Sequence, residues 1–300
     1  MDMTYPAPLT QAEVEQMTGL SREVLRKWEV RYQFPLPLRG ERGQRLYAQA
    51  DVQRLQLIAR LVQCGMRPGK VVYLTLEDLQ ALLVSQARNN ISPEPVTQLL
   101  STLEPGSDPR AVGDYLERLV NLSGLASFVQ TLLPAFNQAV GEEWVSGRLG
   151  VHMEHHYTEA MRQTLYAGLA KLRASNAKPR VLITTLPGEL HALGAMGLQV
   201  ALAVHGAHCV SLGTQTPVEE LVSAAVEMDI GVVAISASVN QPPQDLLAYL
   251  VALRQSLPQQ CRLWAGGLGV LPLAGQMPKG IEHFQSVEEA VKAWQILLHI

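Results

Sequence analysis

The sequence predicts a multi-domain chain of the α + α/β class, in which two helical regions are followed by a doubly wound parallel sheet. Three observations support this prediction. The chain has 300 residues, more than one typical domain. Apolar residues recur at helical spacing through the first two regions. In the last region, short apolar strands alternate with helix-length segments, the pattern of a parallel sheet covered by helices.

The composition is that of a globular chain without secretion or membrane signals. Hydrophobic residues make up 47% of the chain and charged residues 17%, which suffices for more than one core. No apolar stretch approaches about 18 residues, the length of a membrane span, and Met1–Thr10 lacks the pattern of a signal peptide. Cys64, Cys209 and Cys261 form no CxxC pair, so free thiols are expected. We therefore expect a cytoplasmic protein with no membrane partner.

Charge is distributed unevenly along the chain. Between Leu20 and Lys70 the sequence has eleven Lys or Arg residues against four acidic residues, a net charge of +7. Because the whole chain has a net charge of −3, the remainder has a net charge of −10. This asymmetry favours a polyanion as the partner of the N-terminal region. A solvated basic face is the alternative that charge alone leaves open.

Two short helices are predicted at the start of the chain. Thr10 and Glu13 form a capping box for a helix that ends before Gly19. Ser21 caps a second helix that runs to about Val30, with Val24, Leu25 and Trp28 on its inward face. Two helices separated by a turn with a glycine are typical of a helix-turn-helix.

A basic hairpin and a third helix follow. The segment RGERGQRLY, Arg39–Tyr47, has the glycine and arginine content of a wing, and Asp51–Gln63 returns to helical spacing. These motifs resemble the DNA-binding domain of the MerR family of winged-helix regulators. The runs TGLSREVLRKWEVRYQFPLP, GQRLYAQADVQRLQLI and GMRPGKV occur in family order over roughly Leu9–Leu76. The predicted domain is therefore residues 1–76.

The MerR resemblance implies a set of contacts to double-stranded operator DNA. The second helix would lie in the major groove, where arginine can form two hydrogen bonds with guanine. The wing would contact phosphate or the minor groove. The helix residues assigned in this way are Arg22, Arg26 and Lys27, and the wing residues are Arg39, Arg42 and Arg45.

Residues 77–178 are predicted to form a four-helix bundle. Two long apolar series step by three or four residues, and shorter candidate helices lie near Glu77–Ala87 and Asp108–Leu122. The proline-containing stretches around Ser92 and Pro105 are predicted breaks. The first series is Leu125, Phe128, Val129, Leu132, Leu133, Phe136, Val140 and Trp144, and the second is Val151, His155, Thr158, Met161, Leu165, Leu169 and Leu172. Both series are expected to face inward.

Residues 179–300 are predicted to form a doubly wound, flavodoxin-like sheet. The strand segments are VLITTL (181–186), HCVSLGT (208–214), GVVAISAS (231–238), CRLWAGG (261–267) and IEHF (281–284). Thr216 with Glu219, and Ser286 with Glu289, are predicted capping boxes. Ligands of such sheets bind beyond the carboxyl ends of the strands. The loops after the first, third and fourth strands are therefore the places to search for a site.

The loop after the first strand contains the run ELHALG. A neutral His191 imidazole could bind a metal through one ring nitrogen while Glu189 holds the other, although taken alone a solvated loop histidine is the simpler interpretation. Polar or small residues also end the third and fourth strands. Together these segments resemble the cobalamin-binding domain of methionine synthase and its relatives. The residues that the resemblance assigns to the corrinoid are Glu189, His191, Gly194, Ser236, Ser238, Gly266 and Gly267, with His191 as the cobalt ligand.

A further pattern lies in the predicted bundle. Trp144, nine intervening residues and Glu154-His155 resemble the signature of the light-responsive cobalamin repressors of the CarH and LitR type. By that resemblance these three residues cap the 5′-deoxyadenosyl group. The best-known member has a histidine directly after the tryptophan, but here the residue is Val145, which cannot bind cobalt. His152, His155 or His156 could substitute, or water could take that place after illumination. His152 and His156 share a helix face and could instead bind zinc.

These resemblances imply a transcription regulator rather than an enzyme. The implied function is a repressor that binds adenosylcobalamin, forms a tetramer or dimer, and changes its oligomeric state and DNA affinity on illumination. Two alternatives remain open at this point. One is a MerR-type sensor whose cobalamin fold has drifted to another chromophore or small molecule, and the other is a corrinoid-carrying methyltransferase subunit.

Overall fold

The computed structural model describes residues 8–40, 43–63, 66–76, 78–79, 82, 93–273 and 275–298. The chain divides into two compact units, residues 1–90 and residues 91–300. Within the described residues, no single helix is both long and apolar enough to cross a membrane. Two consecutive helices, Ala111–Ser123 and Leu125–Val145, are long and apolar enough for a membrane span only when taken together, and the chain bends by 117° between them.

The first unit is a helix-turn-helix with a small antiparallel sheet. Its helices are Gln11–Thr18, Arg22–Tyr32, Gln49–Gln63 and Pro68–Val71, and its strands are β1 (Leu9–Thr10), β2 (Leu38–Arg39) and β3 (Arg45–Tyr47). The strand order is β1-β3-β2. Leu46 lies opposite Thr10 on one side and Leu38 on the other. The predicted wing therefore forms, and its second strand also pairs with the strand that precedes the first helix.

Capping side chains set the start of the first two helices. Thr10 and Glu13 form the predicted capping box. Ser21 Oγ accepts a hydrogen bond from the backbone N–H of Val24 at 3.4 Å. Leu25 is buried in the core of the unit, as its inward assignment requires. The second helix continues past its predicted end to Tyr32.

The second unit begins with a helical region. Its helices are Pro93–Thr102, Ala111–Ser123, Leu125–Val145 and Val151–Ala170. The helix Pro93–Thr102 was not predicted, and it begins in the proline-containing stretch assigned to the break around Ser92. A proline is tolerated there, since the first turn of a helix needs no intrahelical N–H donor. The helix predicted near Glu77–Ala87 lies largely outside the described residues.

A five-stranded parallel sheet follows, in the order β5-β4-β6-β7-β8. Its strands are β4 (Arg180–Thr185), β5 (Cys209–Ser211), β6 (Ile230–Ser236), β7 (Arg262–Gly266) and β8 (Ile281–Phe284). All five predicted strands and the doubly wound fold are confirmed. The order reverses between β4 and β6, which is the switch point where such sheets bind ligands.

Helices cover both faces of the sheet. Leu193–Val204 and Val287–Leu297 cover one face, and Val218–Glu227 and Pro243–Ser256 cover the other. The helix Val151–Ala170 packs on Leu193–Val204. The helix Leu125–Val145 also contacts Leu193–Val204, and a Cβ at Gly197 would lie 2.6 Å from the Leu133 side chain. The helical region is thus packed directly on the helix that follows β4.

The two capping boxes predicted for this unit have different outcomes. Ser286 caps the last helix as predicted, since its side chain accepts a hydrogen bond from Glu289 N at 3.2 Å. Thr216 does not cap the helix Val218–Glu227, whose N-cap is Pro217. The Thr216 hydroxyl instead pairs with Thr184 Oγ1 at 2.7 Å in the protein interior.

Candidate functional site

The carboxyl ends of β4 and β6 bring a buried carboxylate together with an exposed imidazole. Glu189 is 1% exposed, and its Oε1 lies 2.6 Å from Nδ1 of His191. Oε1 also accepts a hydrogen bond from His191 N at 2.9 Å, and Oε2 accepts one from Ser238 N at 2.8 Å. Both carboxylate oxygens therefore accept hydrogen bonds, and Ser238, in the loop after β6, helps to hold the carboxylate that orients the histidine.

The arrangement fixes which nitrogen of His191 is available. With an ionised Glu189 on Nδ1, the imidazole carries its proton there and presents the lone pair of Nε2. The His191 side chain is 60% exposed. Asn240 Nδ2 lies 3.5 Å from Nε2, close enough to donate a weak hydrogen bond. A neutral imidazole with one nitrogen fixed and the other accessible can serve as a metal ligand.

The ionisation of Glu189 is supported by its surroundings. Burial acts to raise the pKa of the Glu189 carboxyl, but hydrogen bonds from Ser238 and His191 outweigh it, so this pKa lies below its ordinary value. The carboxylate is therefore charged at neutral pH. A charged acceptor on Nδ1 makes Nε2 a better electron-pair donor.

Glycine residues allow the loops beside the Glu189–His191 pair to approach one another closely. A Cβ at Gly267 would overlap the carbonyl oxygen of Ala237, and one at Gly269 would overlap that of Ser238. A Cβ at Gly194 would lie 2.8 Å from Ser236 Oγ. The predicted residues Gly194, Ser236 and Gly267 therefore lie at close contacts between the loops of the carboxyl edge. Gly266 pairs with Ser236 across β6 and β7.

Exposed apolar side chains occur in all three loops at this edge. Leu190, Val239 and Leu268 follow β4, β6 and β7, and each is solvent-exposed despite its size. Large exposed apolar residues at one edge are typical of a ligand-binding surface. We call these three residues the apolar rim. Together with His191 they would suit a broad, flat, mostly apolar ligand with a metal at its centre.

The residues predicted to cap the ligand lie at the ends of two helices. Trp144 is 46% exposed near the end of Leu125–Val145, and Val145 is 79% exposed. Glu154 accepts a hydrogen bond from Thr158 Oγ1 at 2.8 Å, and its Oε2 lies 3.6 Å from His155 Nε2. The pairing of Glu154 with His155 thus exists in the structure. Among the described residues, no hydrogen bond or ion pair joins these side chains to His191.

The inward assignment of Trp144 and His155 is wrong. Both side chains are exposed, as is Val151, because the helix ends extend past the core. Tyr157 occupies the buried position in that turn, and its hydroxyl donates to Asn137 Oδ1 at 2.6 Å. Helical periodicity indicates which face of a helix a side chain lies on, but it does not indicate how far along the helix a neighbouring helix covers that face.

The HMEHH run has structural rather than metal-binding contacts. His156 Nε2 lies 2.7 Å from the carbonyl oxygen of Pro109, in the segment before the helix Ala111–Ser123. Among the described residues, no group of three or more His, Cys, Asp or Glu side chains is placed to hold a metal ion. The structure gives no support to a zinc site at His152 and His156.

The first unit presents the predicted basic residues. Arg22, Arg26 and Lys27 are exposed on the helix Arg22–Tyr32. Arg39 is exposed on β2, and its Nη1 donates to the Gly43 carbonyl at 3.2 Å. Arg42 lies outside the described residues.

Arg45 has a different environment from the other basic residues. Its Nε donates to Glu29 Oε2 at 3.2 Å, and Tyr47 Oη donates to Glu29 Oε1 at 2.7 Å. Glu29 belongs to the helix Arg22–Tyr32, so this cluster joins the wing to that helix. Whether Arg45 also contacts DNA stays a prediction.

Sequence analysis missed two residues of the sheet-edge site. Asn240 approaches His191, and Thr185 Oγ1 donates to the Glu189 carbonyl oxygen at 2.7 Å. The available signal was polar residues at strand ends. Asn240 follows the apolar strand β6 by four positions, and Thr185 ends β4 where an apolar residue would be expected.

Comparison with known proteins assigns the chain to a family. Residues 9–78 match the family described as MerR HTH family regulatory protein. The HTH-type transcriptional repressor CarH of Myxococcus xanthus is 30% identical over 260 residues, which cover 84% of this chain and 86% of that protein. This chain belongs to the CarH-type repressors of the MerR family. It is a transcription regulator rather than an enzyme.

Further similarities extend over the rest of this CarH-type chain. The HTH-type transcriptional repressor CarA of Myxococcus xanthus is 29% identical over 289 residues, 94% of each protein. Among solved structures, the monomethylamine corrinoid protein of Methanosarcina barkeri aligns with a TM-score of 0.51 and 16% identity. It covers 68% of this chain and 100% of that protein. At that identity the likeness concerns the fold, which is that of a corrinoid-binding protein.

Proposed function

We propose that this CarH-type regulator is a repressor that binds adenosylcobalamin at the carboxyl edge of its sheet and loses DNA affinity on illumination. The observation that supports this most directly is the Glu189–His191 pair. It presents an accessible imidazole nitrogen between the loops of the apolar rim. No other ionisable pair in the described sheet loops combines a buried carboxylate with an exposed histidine.

The residues at this edge fit a corrinoid. A histidine whose far nitrogen is held by a carboxylate is a common metal-ligand arrangement. Because Gly194, Gly267 and Gly269 have no side chains, the loops after β4, β6 and β7 approach one another closely beside Ser236, at the edge where the ligand would bind. The apolar rim matches the ring edges of a macrocycle. When bound, adenosylcobalamin would supply a cobalt–carbon bond that light can break.

The roles of the chain's own residues follow from their positions. His191 would hold the cobalt, with Glu189 and Ser238 fixing the orientation of the imidazole. Trp144, Glu154 and His155 would pack against the adenosyl group, as the resemblance to CarH and LitR implies. Loss of that group on illumination would release these contacts. The adenosyl form, the light response and the change of oligomeric state all belong to this proposal.

The DNA-binding unit would act through its exposed cations. Arg22, Arg26 and Lys27 on the helix Arg22–Tyr32 would contact base edges of double-stranded operator DNA. Arg39 and Arg42 would neutralise phosphates. We propose the division predicted from sequence, residues 1–76, 77–178 and 179–300, as the functional domains.

One observation keeps a second function open. Val145 stands where the resembled family places a cobalt-binding histidine, and its exposed aliphatic side chain cannot bind a metal. A regulator whose corrinoid fold binds another chromophore or small molecule would tolerate this residue. The third alternative, a corrinoid-carrying methyltransferase subunit, does not fit a chain of the CarH-type repressor family whose first unit matches MerR regulators.

Absorption spectra of the full chain with adenosylcobalamin test the proposal. Wild-type protein should give the spectrum of cobalamin bound through a protein histidine, and His191→Ala should not. His205→Ala is the matched control, because His205 caps the other end of the helix that follows the His191 loop. A wild-type protein that leaves the cobalamin spectrum unchanged would exclude the cobalamin proposal and favour the second function.

A further inference from the structure

Two adjacent threonines end β4, and both are completely buried. Thr184 and Thr185 are each 0% exposed. Successive residues of a strand point to opposite faces of the sheet, so the two hydroxyls serve different surroundings. Thr184 Oγ1 lies 2.7 Å from Thr216 Oγ1 and donates to the Gly213 carbonyl at 3.1 Å. Neither of these partners belongs to the loop that holds His191.

Thr185 has partners on both sides of the candidate site. Its hydroxyl donates to the Glu189 carbonyl oxygen at 2.7 Å and accepts a hydrogen bond from Gln215 N at 2.9 Å. The residue thus joins the His191 loop to the segment that follows β5. Both ends of Glu189 are therefore held, because Thr185 bonds its backbone carbonyl and His191 and Ser238 bond its carboxylate.

We infer that Thr185 is a positioning residue, which places His191 for its ligand by fixing the backbone of Glu189. The identity of the ligand in this inference rests on the proposed function. The position of the imidazole rests on the hydrogen bonds alone. Without the hydroxyl, the buried Glu189 carbonyl and the Gln215 N–H would both lack a partner. Unpaired buried polar groups are costly, so the loop would shift to satisfy them. Such a shift displaces the Glu189 carboxylate from Nδ1.

The backbone conformation of Gln215 further restricts the segment to which Thr185 is hydrogen-bonded. Its φ of 61° lies in the left-handed region, which a residue with a side chain seldom adopts. Its N–H bond to Thr185 Oγ1 helps to hold this conformation. The His191 loop is therefore attached to a segment whose backbone is itself fixed. The structure assigns Thr185 to the same functional unit as Glu189 and His191.

The chain provides a matched pair of substitutions. Thr185→Val and Thr184→Val each remove one buried hydroxyl and keep the shape of the side chain. Both disturb the segment after β5, but only Thr185→Val removes a bond to Glu189. Thr185→Ser keeps the hydroxyl and should restore the wild-type behaviour. If Thr185→Val does not fold, Thr185→Ala removes the same hydroxyl without the added methyl group.

Two measurements on the full chain separate positioning from general stability. Nitrogen NMR of the ligand-free protein reports which ring nitrogen of His191 carries the proton, and titration with aquocobalamin reports affinity and histidine ligation. We expect Thr185→Val to lose the defined Nδ1–H form and to bind cobalamin about tenfold more weakly, the lower range for loss of an outer contact at a metal site. Thr184→Val should keep both properties although its thermal stability falls to a similar extent.

The outcomes distinguish this inference from the proposed function. Equal behaviour of the two valine variants in NMR and ligation would overturn the positioning role of Thr185. A failure of the wild-type protein to bind cobalamin would overturn the proposed function. In that case the NMR comparison would still decide whether Thr185 controls the state of His191.

Discussion

Glu29 connects the wing of the DNA-binding unit to the helix proposed to enter the major groove. Its carboxylate accepts hydrogen bonds from Arg45 Nε and Tyr47 Oη, and its side chain is only 11% exposed. Arg45 is therefore charge-compensated within the protein, whereas Arg39 donates to a backbone carbonyl and stays exposed. Two arginines that sequence analysis treated alike have different electrostatic environments.

This difference predicts distinct effects on DNA binding. Arg39→Gln should reduce the dependence of affinity on salt by about one phosphate contact, a change of roughly 0.9 in the log–log slope. Arg45→Gln should weaken binding by misplacing the wing while leaving the slope nearly unchanged. Affinity measured at several salt concentrations with operator and unrelated DNA tests both. The expectation fails if Arg45→Gln lowers the slope as much as Arg39→Gln does.

Tyr47 gives a prediction about pH. Burial, together with the nearby Glu29 carboxylate, raises the pKa of the Tyr47 phenol well above its ordinary value. In the unfolded chain the phenol ionises near pH 10, but in the folded unit it stays protonated. The protonated Tyr47 phenol therefore makes its full contribution to the free energy of unfolding below pH 10, and this contribution is lost as the pH rises above 10.

Chemical denaturation at pH 8 and at pH 10.5 should show this loss, and Tyr47→Phe should reduce it. Tyr73→Phe replaces an exposed tyrosine of the same unit and is the control. The same pH dependence in wild-type and Tyr47→Phe protein would contradict the assignment.

At the scale of elements, the turn after β7 depends on a glycine for two reasons. Gly267 has a φ of 96°, and a Cβ there would overlap the Ala237 carbonyl oxygen. Gly213 has a comparable φ of 77°, but a Cβ there would meet no atom within 4 Å. The two positions share the conformational requirement and differ in the space available.

Alanine at each position should separate these contributions. Both variants have the cost of a left-handed conformation, roughly 1–2 kcal/mol for a residue with a side chain. Gly267→Ala should lose about 1–3 kcal/mol more, because the turn must move away from Ala237. Urea denaturation of the two variants measures the difference, and cobalamin binding should weaken only in Gly267→Ala. Equal losses of stability would mean that the turn after β7 is not closely packed.

The elements show what sequence patterns could and could not give. All five sheet strands were predictable, because buried parallel strands are continuous apolar runs bounded by turn residues. The helix Pro93–Thr102 was missed, because prolines that begin a helix resemble prolines that interrupt one. Thr216 was misassigned, since a threonine before a glutamate indicates a cap only if no tertiary partner takes its hydroxyl.

The candidate site was predictable in part for a similar reason. Glu189 and His191 are two residues apart, so their pairing follows from local geometry. Ser238 and Asn240 reach the same place from β6, and Gln215 reaches Thr185 from the segment after β5. These contacts depend on the order of strands in the sheet. Without that order, the residues around Thr185 could not be assigned to the site.

For the whole molecule, the proposed function predicts that ligand and light control assembly. Adenosylcobalamin in the dark should increase the mass of the full chain in solution to that of a dimer or tetramer, and illumination should reduce it. Light scattering on ligand-free, dark-loaded and illuminated protein measures this. His191→Ala should stay at the ligand-free mass throughout, whereas His205→Ala should behave as wild type. One mass under all three conditions would refute control of assembly by light.

Val145 makes the illuminated state of the whole molecule a separate test. Because valine cannot bind cobalt, the wild-type photoproduct should have water as its sixth ligand, or one of His152, His155 and His156 after a shift of their helix. Val145→His should produce a bis-histidine spectrum after illumination and slow the loss of corrinoid from the protein. His155→Ala, made in the wild-type background, shows whether the histidine that pairs with Glu154 already serves this purpose. A bis-histidine spectrum in wild-type protein that survives replacement of all three histidines by alanine would contradict the role given to Val145.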